Sequence, residues 1–115
     1  MDFNKLTDKE ILDIANPLIM ENIIEATEEA DYEKLSKDFT ERLKGIVTKE
    51  AFEKQLNENK LGKFGKRELL SIIHKKHSIF VLWKQWFAES EDEYLAEIVI
   101  VHKDGKYLID HDWFR

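Results

Sequence analysis

The sequence predicts an α+β domain in which N-terminal helices pack on a curved antiparallel four-stranded sheet. Apolar residues recur at helical spacing through residues 7–61. Residues 66–114 instead alternate β-branched and aromatic residues with polar ones, which is the pattern of strands. A chain of 115 residues supports one hydrophobic core but not two. We therefore expect a single domain over residues 1–115.

Three helices are predicted, and the first begins at a capping box. Thr7 and Glu10 have the Thr-x-x-Glu spacing, in which each side chain accepts a hydrogen bond from a free backbone amide. Apolar residues follow at helical spacing through residues 11–30. Pro17 has no backbone amide hydrogen and crowds the preceding turn, so a kink is expected near Asp13.

Two shorter helices are expected after the first. Asp31 can cap a second helix, whose apolar stripe runs without interruption through residues 32–46. Thr48 can cap a third helix in the same way. Gly62 suits the left-handed conformation that ends many helices, so we expect the third helix to stop there.

The final hairpin carries the clearest turn signal of the sheet. Asp104 and Gly105 stand where a two-residue hairpin turn needs positive φ angles. A regular ladder from this turn pairs Ile98 with His111, and it directs His111 and Trp113 toward the helices. The predicted strands cover about residues 67–76, 78–89, 93–103 and 106–114.

The same register sends Asp112 to the other face, opposite Glu97, where two close carboxylates need water or a cation. Both faces of the hairpin carry much apolar surface, which is unusual for a sheet with only one covered face. Either the sheet curls around a cavity or a partner chain covers its second face. Both arrangements can hold together.

The formal net charge of −6 is unevenly distributed. Residues 1–33 hold ten acidic and two basic side chains, whereas residues 60–84 hold seven basic side chains against Glu68 alone. The overall sign disfavours nucleic acid as a partner. Basic residues that flank strands commonly form a solvated edge, although a local contact with an anion stays open.

Composition also bears on the compartment. The sequence contains no cysteine, which excludes disulfides and thiolate metal sites and fits a reducing environment. No apolar run reaches the roughly 18 residues needed to span a bilayer. Residues 1–5 do not combine a basic region with an apolar stretch, so no signal peptide is expected. We expect a cytoplasmic protein without a membrane partner.

The order of elements resembles one known superfamily. A long helix, a second helix and a short third helix begun by residues 47–52 precede the meander, which ends in the aromatic stretch of residues 104–114. This order and ending resemble the cystatin-like superfamily that includes nuclear transport factor 2. The resemblance implies a cone-shaped half barrel, homodimers through the sheet, and a pocket between helices and sheet. It implies no single function, because members include isomerases, dehydratases, transport adaptors and binding domains.

The histidines do not form a recognisable metal site. None of the four has a second histidine at the i, i+4 spacing of a helical metal site, and no cysteine accompanies them. We therefore expect neither a metal nor another cofactor. His111 is the histidine that the regular hairpin register directs into the interior.

Candidate pocket residues are polar or aromatic groups that the helical and strand patterns could turn inward. Asn22 lies on the apolar face of the first helix. Trp83 and Trp86 differ by an odd number, so they face opposite sides of a regular strand, and the sequence leaves open which one faces the helices. The candidates are Asn22, Trp83, Trp86, Tyr94, His111 and Trp113.

These features favour binding over catalysis. We expect a non-catalytic domain that binds a small, mainly apolar ligand or a protein, and that forms a homodimer through its sheet. The alternative is an acid–base enzyme of the isomerase or dehydratase type with His111 in the pocket. No triad, phosphate loop or carboxylate pair has a persuasive spacing, so no catalytic residue is assigned.

Overall fold

The computed structural model describes all residues from Met1 to Arg115, and it places a helical layer on one antiparallel sheet. This confirms the predicted α+β fold, with strand bounds within three residues of the predicted ones. The helices are α1 (Asp8–Pro17), a π-helical segment (Leu18–Glu25), α2 (Ala26–Glu28), α3 (Tyr32–Ser36), α4 (Glu41–Ile46) and α5 (Lys49–Glu58), after a 3-10 turn at Phe3–Lys5. The strands, in spatial order, are β1 (Phe64–His74), β2 (Ser78–Phe87), β3 (Tyr94–Lys103) and β4 (Lys106–Phe114).

The first helix begins at the predicted capping box. The Thr7 side chain accepts from the Glu10 backbone amide, and the Glu10 carboxylate accepts from the Thr7 amide in return. The helix is α-helical through Asp13 to Pro17, so the expected kink near Asp13 is not where the backbone changes. Pro17 donates no hydrogen bond, and the wider turns of the π-helical segment follow it directly.

The predicted second helix is broken into α3 and α4. Residues 37–40 leave the helix, and Phe39 forms a parallel bridge with Ile109 on the edge strand β4. The Thr40 amide donates to the Ile109 carbonyl at 2.9 Å, and the Ile109 amide donates to the Asp38 carbonyl at 2.7 Å. The apolar stripe continues across the break, but the backbone hydrogen bonds go to the sheet edge instead of the next helical turn.

The third helix begins as predicted but ends earlier. The Thr48 hydroxyl oxygen accepts from the Ala51 backbone amide at 3.2 Å. The helix ends at Glu58, and the extended backbone of Asn59 leads into the loop before β1. Gly62 adopts the expected positive φ of 77°, but it does so within this loop and therefore does not stop the helix.

The last hairpin keeps its predicted turn but changes register partway along. Asp104 and Gly105 both have positive φ, and Ile100 pairs with Ile109 as expected. A β-bulge at Asp110 then shifts the ladder, so that His111 pairs with Val99. Every residue beyond the bulge therefore lies on the face opposite to the predicted one, because strand side chains alternate.

Contacts from α4 hold this bulge in place. Asp110 Oδ1 accepts hydrogen bonds from Thr40 Oγ1 at 2.7 Å and from Arg42 Nε at 3.1 Å. Arg42 Nη2 also donates to the backbone carbonyl of Asp110. Partial burial opposes ionisation of Asp110, but the bonds from Thr40 and Arg42 outweigh it and keep the pKa of this carboxyl below its usual value. The extra residue of β4 is thus anchored to the helical layer.

The core lies between the first helix and the inner face of the sheet. Ile11, Ala15 and Ile23 on the helical side meet Val81 and Ile98 on the sheet, and all five are almost fully buried. Each large aliphatic side chain buried in this way contributes about 1.5–3 kcal/mol. None of the helices has the length and apolar character that crossing a membrane requires.

One polar side chain in this core is fully satisfied. The two amide hydrogens of Gln85 Nε2 are shared among the carbonyls of Gly65, Lys66 and Trp86 at 3.2, 3.2 and 2.9 Å, and its Oε1 accepts from Trp83 Nε1 at 3.0 Å. These bonds bridge the irregular start of the β1–β2 pairing. Gly65 lies so close to the Trp86 carbonyl that an added Cβ would be 3.1 Å from its oxygen. Gln85 thereby fixes the end of the sheet at which the candidate site is formed.

Candidate ligand-binding site

A groove with a volume of about 860 Å³ lies between α5 and the end of the sheet where β1 begins and β4 finishes. Twelve of its nineteen wall residues are hydrophobic, and one side is open to solvent. Both the volume and the mostly apolar lining are typical of sites for small organic molecules. The groove is therefore the candidate functional site.

Helical residues form one wall of the groove. Phe52 anchors α5 in the core, and Ala51 and Leu56 on the same helix face the open space. The opposite side of the helical layer contributes Ile23, which belongs to the π-helical segment. Such segments often occur at functional sites, because their wider turns shift side chains relative to an α-helix.

Aromatic rings form the sheet side of the groove. We call Phe64, Phe87, Tyr94 and Phe114 the aromatic cluster. Phe64 and Phe87 have ring centroids 4.9 Å apart, and Phe87 meets Tyr94 edge to face at 5.4 Å. Phe114 lies 5.6 Å from Phe64 and 6.3 Å from Phe87. One ring comes from each strand, so the sheet register determines the shape of this wall.

Asp112 is the carboxyl group that the sheet contributes to the groove wall. The residue as a whole keeps some exposure, but its Oδ1 is out of contact with solvent and has no hydrogen-bond partner. Burial raises the pKa of Asp112 to about 7, because the ionised form loses its hydration without gaining a partner. The groove thus combines apolar walls with one titratable group near neutral pH.

Two of the predicted pocket residues belong to the groove wall. Tyr94 is part of the aromatic cluster. Trp113 lies at the rim and is 45% exposed, since the bulge turns it to the outer face of the sheet, paired with Glu97. The expectation that Trp113 faces the helices is therefore wrong.

Asn22 and Trp83 are buried outside the groove. Asn22 Nδ2 donates to Asp38 Oδ2 at 2.9 Å, and it also reaches the Lys34 carbonyl at 3.4 Å. These bonds tie the first helix to the α3 region. Trp83 is in the core, and its indole is bonded to Gln85. Both residues support the fold rather than line the groove.

Trp86 and His111 lie on the outer face of the sheet. Trp86 and Trp83 point to opposite faces of the sheet, as their spacing predicts. Lys66 Nζ lies 4.4 Å from the centroid of the Trp86 ring. His111 Nε2 lies 3.0 Å from Glu97 Oε1. The prediction that His111 points to the interior is wrong, because it assumed a ladder without the bulge.

Asp112 is the site residue that sequence reasoning missed. Alternation from the Asp104-Gly105 turn placed it on the outer face opposite Glu97, whereas it pairs with Ile98 on the inner face. The bulge depends on contacts from Thr40, seventy residues away in sequence. The sequence around Asp112 contains no pattern from which the contact between Thr40 and Asp110 could be predicted.

Comparison with known proteins adds no relative: no family model, curated protein or solved structure matches this chain. The fold and the site therefore define the class by themselves. The chain is an α+β domain with helices packed on a curved antiparallel sheet and an apolar groove at one end of that sheet.

Proposed function

We propose that this domain binds a small, mainly apolar ligand in the groove between α5 and the end of the sheet. The groove of about 860 Å³ with its mainly hydrophobic wall is the observation that carries the proposal. Apolar surface in such a cleft contributes roughly 25 cal/mol per Å² when a ligand removes it from water. The resemblance to the cystatin-like superfamily, which places pockets between helices and sheet, supports the same location.

Filling the groove is expected to weaken ligand binding. Ala51 is exposed on the wall of the groove, so the indole of Ala51→Trp would occupy space that the ligand needs. Binding of the neutral dye Nile red, followed by fluorescence titration, is expected to weaken by about tenfold or more, which corresponds to about 1.4 kcal/mol. Asn57→Trp is the matched control, because Asn57 is exposed on the same helix outside the groove wall. Equal dye affinity in both variants would contradict the proposal.

We also propose that two copies of the chain pair through the outer face of the sheet. Ile73, Phe80 and Val99 form an apolar row across three strands on that face. Ile73 is among the exposed large hydrophobic residues. Beside this row, the Glu97 carboxylate accepts from Arg115 at 3.4 Å, so its charge is compensated within the chain. An exposed apolar row of this kind is suited to contact with a second copy.

A charge within the apolar row is expected to separate the two copies. Wild-type protein should sediment at about twice the chain mass of 13.7 kDa, and Val99→Glu should sediment at the mass of one chain, because a carboxylate cannot be buried unpaired. Asn57→Glu is the control, since Asn57 is exposed on α5, in the helical layer and away from the outer face of the sheet. A wild-type chain that stays monomeric at the highest concentration measured would contradict this proposal.

The enzymatic alternative used His111 as the base in the pocket. His111 lies on the outer face, and its Nε2 is engaged with Glu97, so it cannot reach a molecule in the groove. We therefore do not propose catalysis by this histidine.

A further inference from the structure

Asp112 is an uncompensated buried group in a groove that otherwise attracts apolar molecules. Its Oδ1 has neither a hydrogen-bond donor nor solvent contact, and burial alone accounts for its raised pKa. Buried carboxyl groups in folded proteins are normally paired with a donor or a cation. In the free protein, the unpaired Oδ1 of Asp112 therefore lowers the free energy of unfolding, and a ligand group that donates a hydrogen bond to it can remove this penalty.

The other charged groups of the groove wall do not neutralise Asp112. They are Lys54 and Glu58 on α5 and Lys60 in the following loop, and all three are exposed. None contributes to the pKa of Asp112, and no lysine or arginine forms an ion pair with it. No side chain of the wall therefore supplies a partner for Asp112 Oδ1, and a ligand group can supply one.

The aromatic cluster lines the same groove as Asp112. Phe114 follows Asp112 by two residues on the same face of β4, and its ring meets those of Phe64 and Phe87 within 6.3 Å. The faces of such rings carry partial negative charge and attract cations, most strongly where water is excluded. A carboxylate and aromatic rings that line one groove are therefore a combination that recognises positive charge.

We infer that the ligand of this groove carries a protonated amine on an apolar body, and that its ammonium group pairs with Asp112 beside the aromatic cluster; this inference rests on the proposed binding function. The ammonium donates to the ionised carboxylate, and its attached methylene groups and apolar body pack on the rings. A carbonyl or hydroxyl ligand could accept from the protonated carboxyl instead. Only the amine also gains from the charge of the carboxylate and the quadrupoles of the rings.

Matched probes separate these ligand classes. The probes are 4-phenylbutylamine, 4-phenylbutan-1-ol and 4-phenylbutanoate, which share one apolar body and differ in the terminal group. At about pH 7.5, calorimetric titration is expected to show the amine binding wild-type protein about tenfold more tightly than the alcohol, and the carboxylate most weakly. In Asp112→Asn the preference for the amine should disappear, while the affinity for the alcohol stays the same.

A carboxyl titration provides an independent readout. With ¹³C-labelled aspartate, saturating amine should move the Asp112 titration midpoint from about pH 7 toward pH 4, because the ammonium stabilises the ionised form. The alcohol should not lower that midpoint. Equal affinities for amine and alcohol, or an amine preference that survives Asp112→Asn, would overturn the amine inference while leaving groove binding intact. Failure of all three probes to bind at millimolar concentration would overturn the proposed function and the inference with it.

Discussion

Asp112→Asn is expected to stabilise the domain more at high pH than at low pH. The free energy of unfolding of the variant minus that of wild type should grow by about 3 kcal/mol between pH 4.5 and pH 8.5. The folded chain keeps the Asp112 proton up to about pH 7, whereas the unfolded chain releases it near the ordinary value of 3.8. The folded state thus binds more protons in this interval, so the wild-type free energy of unfolding falls as pH rises. Above pH 7 the burial of the ionised carboxylate costs about 4 kcal/mol, and asparagine removes that cost.

Urea unfolding at the two pH values measures this effect directly. The comparison uses the difference between variant and wild type, because any fixed cost of burying the asparagine amide is the same at both pH values. Asp92→Asn, in the exposed turn between β2 and β3, is the control. Its free energy of unfolding should differ from that of wild type by the same amount at both pH values. A pH-independent difference for Asp112→Asn would show that the carboxyl group is solvated in the folded chain.

Gln85→Leu is expected to destabilise the domain by about 3 kcal/mol despite replacing a buried polar residue with an apolar one. Gln85 is 0% exposed and makes four hydrogen bonds, to three backbone carbonyls and one indole. Leucine has a similar size but makes none of these hydrogen bonds, so the buried Trp83 indole N–H loses its acceptor, and unpaired polar groups in low-dielectric surroundings are costly. The irregular start of β1 should then lose its fixed position.

Urea unfolding of Gln85→Leu, with Asn57→Leu as the control on α5 outside the groove wall, tests this network. The control should change the free energy of unfolding by less than about 0.5 kcal/mol. Because the Gln85 network holds the strand ends that carry Phe64 and Phe87, the core variant should also weaken dye binding in the groove. Wild-type stability in Gln85→Leu would mean that these bonds do not hold the sheet end together.

The features that could be predicted from the sequence depend on residues close in the chain. The capping box of Thr7 and Glu10 closes within one turn, and the Asp104-Gly105 turn needs only two residues with positive φ. The opposite directions of Trp83 and Trp86 follow from alternation along a regular strand. These local structures form as predicted because no contact from a distant segment replaces their hydrogen bonds or changes their backbone conformation.

The features that could not be predicted depend on contacts between distant segments. The second helix breaks because Asp38 and Thr40 exchange backbone hydrogen bonds with Ile109 at the sheet edge. The bulge exists where Thr40 and Arg42 hold Asp110. The helix break and the bulge therefore arise from one contact, in which residues 38–42 meet the edge of β4. Helical or strand periodicity contains no information about this contact.

This single contact decides the chemistry of the groove. Without the bulge, the regular register would place His111 and Trp113 toward the helices and Asp112 in solvent, as the sequence predicts. With it, Asp112 and Phe114 line the groove, and His111 lies with Glu97 on the outer face. The candidate site thus changes from a histidine pocket to a carboxyl pocket through one extra residue in β4.

The register of β3 and β4, measured by cross-strand nuclear Overhauser effects in the labelled protein, tests the inward position of Asp112 most directly. We predict backbone contacts of Ile98 with Asp112 and of Ala96 with Phe114. Contacts of Ile98 with His111 and of Ala96 with Trp113 would instead establish a ladder without the bulge. That result would remove Asp112 from the groove and contradict the account of the site.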